Sequence, residues 1–410
     1  MKRHPILSGM AVASNGLAVL LGLVLAWFTA RRWLFLLAAH QPQKTQKVQE
    51  SRPSLLPWPA VLLLAPFRDE AAALPDLLAH LEQLNYPPNC LTMVLVDDGT
   101  TDGSREAAQR WARAVANRHL LSLGRNVGKA AALNAALARF PQAELVAVFD
   151  ADERPSPDAL RHLIQPFADA RVGAVNGRRA VSNPLASAIA SHATFENLVH
   201  QQVTMRAKER LNLAPAILGS NCVYRRTALA QVGGFQPGAL LEDSDLTLKL
   251  ARAGWRIRFV PEAVSVHAVP KTLGSYWQQH TRWASGFQAV ARQQAAVTLR
   301  ARHLPWRLRL ELLTFSLGYL DRVVWLLALG WVGMKTAVSR RPPRTLSAVL
   351  FTSLITPFIQ VLAALRQSQA PPALRRRMVW LPLFLLLDMG MAVVGTVRRT
   401  IHWETRRGSS

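Results

Sequence analysis

Cysteine is nearly missing from this chain: Cys90 and Cys222 are the only two among 410 residues. Two cysteines make no disulfide framework, and neither has a partner at metal-ligand spacing. The 11 histidines show no zinc-type pairing with cysteine or with one another. Disulfide-stapled scaffolds and structural zinc modules are excluded, and a reducing, cytosol-facing domain fits. Acid is the second shortage, with 25 Asp+Glu against 49 Lys+Arg and a formal net charge of +24. Such a balance calls for an anionic partner. Nucleic acid is set aside: there is no zinc-finger spacing and no aromatic RNA-binding strand motif, and the basic residues crowd the ends of hydrophobic runs. Lipid headgroups and membrane topology explain Arg in that position. There is no internal repeat and no low-complexity tract, and the P-loop spacing of glycines before Lys-Ser/Thr is absent.

What is plentiful is apolar sequence. Half the residues are hydrophobic (50%), and the mean hydropathy is +0.10, high for a soluble protein of this length. The run from about Pro5 to Ala30 is long enough to cross a bilayer at about 20 residues per span. It follows Met1-Lys2-Arg3 but lacks a small-residue cleavage site, so it reads as an uncleaved anchor within residues 1–40, closed by Arg31 and Arg32. Residues 41–59 form a polar, Pro-containing linker. Residues 60–276 read as a globular αβ domain. Its apolar strands lie near Ala60–Leu64, Met93–Val96, Leu120–Leu123 and Leu145–Phe149, and helical patterns fall between them. Continuous apolar strands alternating with helices argue a parallel sheet covered on both faces, with ligands at the carboxyl ends of its strands. Residues 277–311 read as interfacial amphipathic helices in which Arg mixes with Trp and Leu. Residues 312–400 hold three apolar stretches, about Leu312–Val338, Leu346–Leu365 and Val379–Val397, and residues 401–410 a basic tail. Asp321-Arg322 in the first stretch places it in the interface or against other helices. Every loop in this region is basic, so the positive-inside rule does not settle its orientation.

Acids at the ends of these strands carry the chemistry. Asp150 and Asp152 leave the fourth strand together, and in an extended chain residues two apart point the same way. Two such carboxylates make an oxygen site for Mg²⁺ or Mn²⁺, completed by substrate phosphates. A strand-end turn with helix-capping acids is the alternative. Asp97-Asp98-Gly99 ends the second strand, where a carboxylate can accept from a ribose hydroxyl or a base N–H. An ordinary strand–turn–helix is again the alternative. Lys129 opens an Ala-rich helix, within reach of a phosphate or a uracil carbonyl, or simply solvated there. Glu242 and Asp243 begin another helix, where acids suit the dipole. A general base for an attacking hydroxyl is the functional reading. Gln279, Arg282 and Trp283 stand at i, i+3 and i+4 on one helix face. Arg282 suits a pyrophosphate and Trp283 a sugar ring; an interfacial Trp–Arg pair is the alternative.

Taken in order, these motifs resemble the membrane-embedded family 2 glycosyltransferases, which include cellulose, chitin, hyaluronan and poly-N-acetylglucosamine synthases. The resemblance runs from about Ala60 to Arg292. It rests on Ala65-Pro66-Phe67-Arg68-Asp69-Glu70, the Asp97-Asp98-Gly99 turn, Gly128 to Asn134, Asp150-Ala151-Asp152, Gly219-Ser220-Asn221, Glu242-Asp243 and Gln279 to Trp283. It implies a GT-A-like, nucleotide-diphosphosugar-binding mixed sheet with flanking helices, plus N- and C-terminal transmembrane helices. It further implies an inverting transfer from a UDP-sugar to a growing exopolysaccharide, with a single transfer onto a lipid-linked acceptor as the alternative. Pro66, Glu70, Asp97, Asp98, Lys129 and Asp150 would bind the nucleotide, and Asp152 the metal. Asp243 would be the base, and Asn221, Glu242, Gln279, Arg282 and Trp283 would meet acceptor and pyrophosphate. The setting implied is the plasma (inner) membrane, multi-pass, with the catalytic domain cytoplasmic, in contact with lipids and with room for accessory export subunits. A non-catalytic scaffold of this fold would be expected to lose the metal acids or the base, and all are present. Arg68-Asp69-Glu70 departs from the more usual Asn-Glu, and Leu241 from the Thr that often precedes Glu-Asp.

Overall fold

The computed structural model describes residues 5–40, 58–368 and 370–397. The basic tail at 401–410 and most of the linker expected at 41–59 lie outside them. Helix α1 (Pro5–His40) comes first. Then β1 (Val61–Phe67), α2 (Leu74–Leu81), β2 (Leu91–Asp97), α3 (Ser104–Ala114), β3 (Arg118–Ser122), α4 (Lys129–Arg139) and β4 (Leu145–Val148) alternate. There follow β5 (Arg154–Pro155), α5 (Ala159–Ile164), β6 (Val172–Val181), α6 (Ala188–Leu198), a π-helical turn (Val199–Met205) and α7 (Arg206–Arg210). The globular part closes with β7 (Cys222–Arg225), α8 (Arg226–Gln231), α9 (Glu242–Arg252) and β8 (Arg256–His267). The last helices are α10 (Leu273–Arg300), α11 (Trp306–Ser316), α12 (Leu320–Ser339), α13 (Arg344–Gln367), α14 (Pro372–Arg376) and α15 (Leu381–Val397).

Eight strands form one sheet in the order β3-β2-β1-β4-β7-β6-β8-β5. The half from β3 to β4 is parallel. Strand β7 then runs antiparallel to both β4 and β6, while β8 returns parallel to β6. The purely parallel sheet argued from strand composition is thus corrected to a mixed one. An apolar strand reports burial on both faces and carries no mark of its direction. Alternate residues of the central strands feed two cores. Leu62, Leu64, Val94, Val96, Val146 and Val148 pack with α4 and α9, whereas Leu63, Leu95 and Ala147 pack with α2 and α5. Both faces being covered, the carboxyl edge of β1, β2 and β4 is where polar groups can gather.

Among the described residues, three helices are long and apolar enough to cross a membrane: Gly16–His40, Arg344–Gln367 and Pro372–Val397. The stretch expected over Leu312–Val338 is broken, with α11 and α12 meeting at 68°. Leu23, Leu327, Phe351 and Leu386 point their side chains outward from these helices, the arrangement expected of lipid-facing positions. Arg31 and Arg32 do not close the first run, because α1 continues to His40. Arg31 makes two hydrogen bonds to Glu311, at 2.7 and 2.6 Å, and Lys208 reaches the same carboxylate at 2.9 Å. Arg32 pairs with Asp321 and lies over the Trp325 ring. Charges placed in apolar helices are tolerated when they pair with one another.

Candidate active site

The strand ends converge as the fold requires. The β1 backbone turns outward after Phe67, whose carbonyl accepts from the Asp98 N–H at 3.0 Å. Pro66 is partly exposed beside it, and Glu70 accepts the backbone N–H groups that start α2. The two members of the Asp97-Asp98 pair have different jobs. Asp97 is fully buried and accepts from the Thr100 N–H at 2.8 Å, Arg105 at 2.6 Å and Ser122 at 2.7 Å. Its carboxylate builds the turn from inside. Asp98 accepts the Val127 N–H at 2.6 Å and the Gly128 N–H at 3.0 Å, which pins the loop that starts α4. Burial raises its carboxyl, and those two N–H groups oppose the rise.

The fixed loop delivers Lys129 into the acids. Its Nζ lies 2.6 Å from Asp150 Oδ1, 2.9 Å from the Gly219 carbonyl and 3.5 Å from Glu242 Oε1. Burial works against this ammonium, but Asp150 and Glu242 outweigh it and hold its pKa above the ordinary lysine value. Asp150 and Asp152 lie in a turn after β4, where the Glu153 N–H donates to the Asp150 carbonyl at 3.1 Å. The extended-chain argument for that pair is therefore replaced by a turn, which Ser220 anchors through its Oγ on the Asp150 N–H at 2.8 Å. Both carboxylates remain partly exposed, an oxygen-only donor set that fits a hard divalent cation completed by phosphate oxygens.

Asp243 sits in the first turn of α9, accepting the Ser244 N–H at 2.6 Å. Burial pushes its carboxyl up to about 7, Glu242 adds to the rise, and Lys129 opposes it. Gly219, at φ +71°, separates base from cation: a Cβ there would lie 3.3 Å from both Asp243 Oδ2 and Lys129 Nζ. A side chain at that position would enter the site as well as strain the turn. Gln279, Arg282 and Trp283 are partly exposed on α10, between buried His280 and Ala284. Asn221 immediately precedes β7. It is fully buried at φ +49°, and its Nδ2 donates to the Arg178 and Ala263 carbonyls at 3.0 Å, which ties β6 to β8.

Two supporting residues escaped sequence reasoning. Glu153 is fully buried, 2.5 Å from Arg179 and bonded to Ser265. Arg179 feels Asp150 and Asp152 as well as Glu153, and their charges outweigh burial in keeping it cationic. The acid that follows Asp150-Ala151-Asp152 was the available signal, but its partner lies 26 residues downstream.

Lys129, at the start of α4, thus bridges two acids, with Asp243 across one glycine. Residues 145–392 match the model "Glycosyl transferase family group 2". The chain belongs to that family. Its members among curated proteins include a probable glycosyltransferase of Bacillus subtilis, YdaM, to which it is 26% identical over 277 residues, 66% of each chain. It is 32% identical to an N-acetylglucosaminyltransferase of Rhizobium meliloti, over 56% of this chain and 55% of that one. The family chain described here thus spans between about half and two thirds of the relatives it matches. Among solved structures, the mannosyltransferase PcManGT of Pyrobaculum calidifontis, in complex with GDP-Man and Mn²⁺, superposes with a TM-score of 0.62. The identity there is 23%, covering 95% of this chain and 98% of that one. The fold is therefore GT-A-like.

Proposed function

We propose that this chain transfers a sugar from a UDP-sugar, with inversion, to a growing β-linked exopolysaccharide on the cytoplasmic side of the plasma (inner) membrane. The observation that carries the reading is Asp243: a carboxyl raised to about 7 and held one glycine away from the Lys129–Asp150 pair. A base with that pKa is half deprotonated at neutral pH and can take the proton of an attacking hydroxyl. Pro66, Glu70 and Asp98 form the nucleoside end. Lys129 and Arg282 meet the negative charge of the departing UDP. Asp152 with Asp150 would hold Mg²⁺ or Mn²⁺, which when bound neutralises charge on the diphosphate. Trp283 offers a flat apolar face to the acceptor sugar, and Gln279 and Glu242 flank it with polar groups. The whole unit comprises the anchor at 1–40, the linker at 41–59, the catalytic domain at 60–276, the interfacial helices at 277–311, the spanning or interfacial helices at 312–400 and the tail. Accessory export subunits would meet it at the membrane.

The test is UDP release by membranes given a panel of UDP-sugars with Mg²⁺ or Mn²⁺, set against Asp243→Asn. Turnover should drop by at least about 100-fold, in line with loss of a general base. Intact turnover in that variant sinks the assignment of the base. A single transfer onto a lipid-linked acceptor is the second reading. It is favoured by the small number of candidate spans and by similarity to a beta-monoglucosyldiacylglycerol synthase of Synechocystis, 25% identical over 67% of this chain and 57% of that one. Product size separates the two: a ladder of lengths against one added sugar.

A further inference from the structure

A carboxylate in the middle of an apolar helix is costly unless something uses it. Asp388 is such a group, 3% exposed within α15. Its Oδ1 accepts from the Tyr276 hydroxyl at 3.0 Å, and its Oδ2 lies 3.3 Å from His192 Nε2. The same hydroxyl is 2.8 Å from Glu196 Oε2, and Glu196 lies 3.3 Å from His280 Nε2. Tyr276 and His280 hold their rings 4.0 Å apart, and His280 meets the Trp283 ring at 4.8 Å. Tyr276 precedes Gln279 by three residues and Trp283 by seven, so all three share one face of α10.

The helices are also fitted closely at this level. Ser285 Oγ donates to the Gly395 carbonyl at 2.8 Å, and a Cβ on Gly395 would lie 2.5 Å from Ala284 Cβ. On its other side α10 presses on Leu241, two residues before the proposed base: a Cβ on Gly286 would fall 2.5 Å from Leu241 Cγ. Helix α10 therefore spans from a membrane helix to the start of α9.

We propose that Asp388 is a positioning residue. From α15 it holds Tyr276, and through Tyr276 and His280 it fixes the turn of α10 that presents Gln279, Arg282 and Trp283 to the acceptor. The acceptor half of the site is thus incomplete without the C-terminal apolar helix, whereas the nucleoside end, at Pro66, Glu70 and Asp98, stands apart from α10. For stability by itself, well-packed apolar side chains would serve as well or better than this buried polar bracket. Placement of a reacting partner is where such a bracket gains, since small displacements cost large factors in rate. This inference rests on the transferase reading above.

The experiment uses the full-length protein in lipid nanodiscs, with Tyr276→Phe, Asp388→Asn and the double variant. Three quantities are read: acceptor-dependent transfer, the dissociation constant for uridine, which lacks the diphosphate that Arg282 would meet, and amide hydrogen exchange across α10. Each single variant should lower kcat for transfer about tenfold, leave uridine affinity within twofold, and speed exchange around residues 276–283. The double variant should lose no more than the worse single one, because both act through one contact. The proposal is overturned if transfer and exchange stay at wild-type levels, if the two losses multiply, or if uridine binding falls in parallel. His192, Glu196 and Asp388 place ligand atoms within 4.8 Å of one another. A stoichiometric metal lost in Asp388→Asn would overturn the bracket in favour of a metal centre. If the wild type moves sugar from no UDP-sugar, the transferase reading fails, and the exchange measurement still decides whether Asp388 orders α10.

Discussion

Asp243 works under two opposed demands at the residue scale. Burial and Glu242 raise its pKa to about 7, which tunes it as a base and makes its charge unfavourable to the fold. The folded protein therefore holds a proton that the unfolded chain releases between the ordinary carboxylate pKa and about 7, so this group's contribution to stability falls as pH rises through that window. Two outcomes follow. Transfer should climb with pH through about 7 as the base deprotonates, measured as kcat/KM against pH. Asp243→Asn should melt at a higher temperature than the wild type at pH 8 while being inactive. Asp97 makes the opposite case. Its carboxylate satisfies three donors in the interior, so Asp97→Ala should destabilise by about 1–3 kcal/mol, seen in thermal melts. KM for the UDP-sugar should change little in the protein that remains folded. Sequence presents Asp97 and Asp98 as equals. Both are buried, and their partners differ: Arg105 and Ser122 hold Asp97, the Val127 and Gly128 N–H groups hold Asp98, and adjacency along the chain does not report them.

Periodicity made the elements themselves largely legible. The stripe Leu74, Leu77, Leu78 and Leu81 buries one face of α2 against the sheet, and the i, i+3, i+4 spacing of Gln279, Arg282 and Trp283 is realised on α10. What could not be read is how helices distant in sequence pair their charges. Arg31 looked like the end of an apolar run. It is part of a buried group in which Glu311 holds Arg31 and Lys208, 280 and 103 residues away along the chain. Glu311→Gln removes the acid and leaves two cations in an apolar setting. It should cost about 3–5 kcal/mol, measured as a lowered unfolding midpoint in detergent, with the UDP site intact in the folded fraction.

For the whole molecule, the proposed nucleotide half lies at the parallel edge of a two-faced sheet and the proposed acceptor half on α10, which packs against the apolar helix α15. Chelation should separate them. EDTA should abolish transfer, and Mn²⁺ or Mg²⁺ should restore it. Asp152→Ala should need far more metal for the same rate, with no change in hydrogen exchange along α10. Unchanged transfer after chelation would refute the metal's role at Asp150 and Asp152.

Length, hydropathy and the order of acidic motifs were enough to mark out apolar ends, a central αβ domain and a site at strand ends. Strand burial, helical period and charge are local properties written residue by residue. Tertiary structure alone decided that the sheet reverses direction at β7, that Asn221 and Asp97 support the fold from within, and that Lys129 stands between Asp150 and Glu242. It also brought Asp388 to Tyr276 across 112 residues of chain. Each of those depends on which partner is near in space, and proximity across a fold is set by packing, which no local pattern encodes.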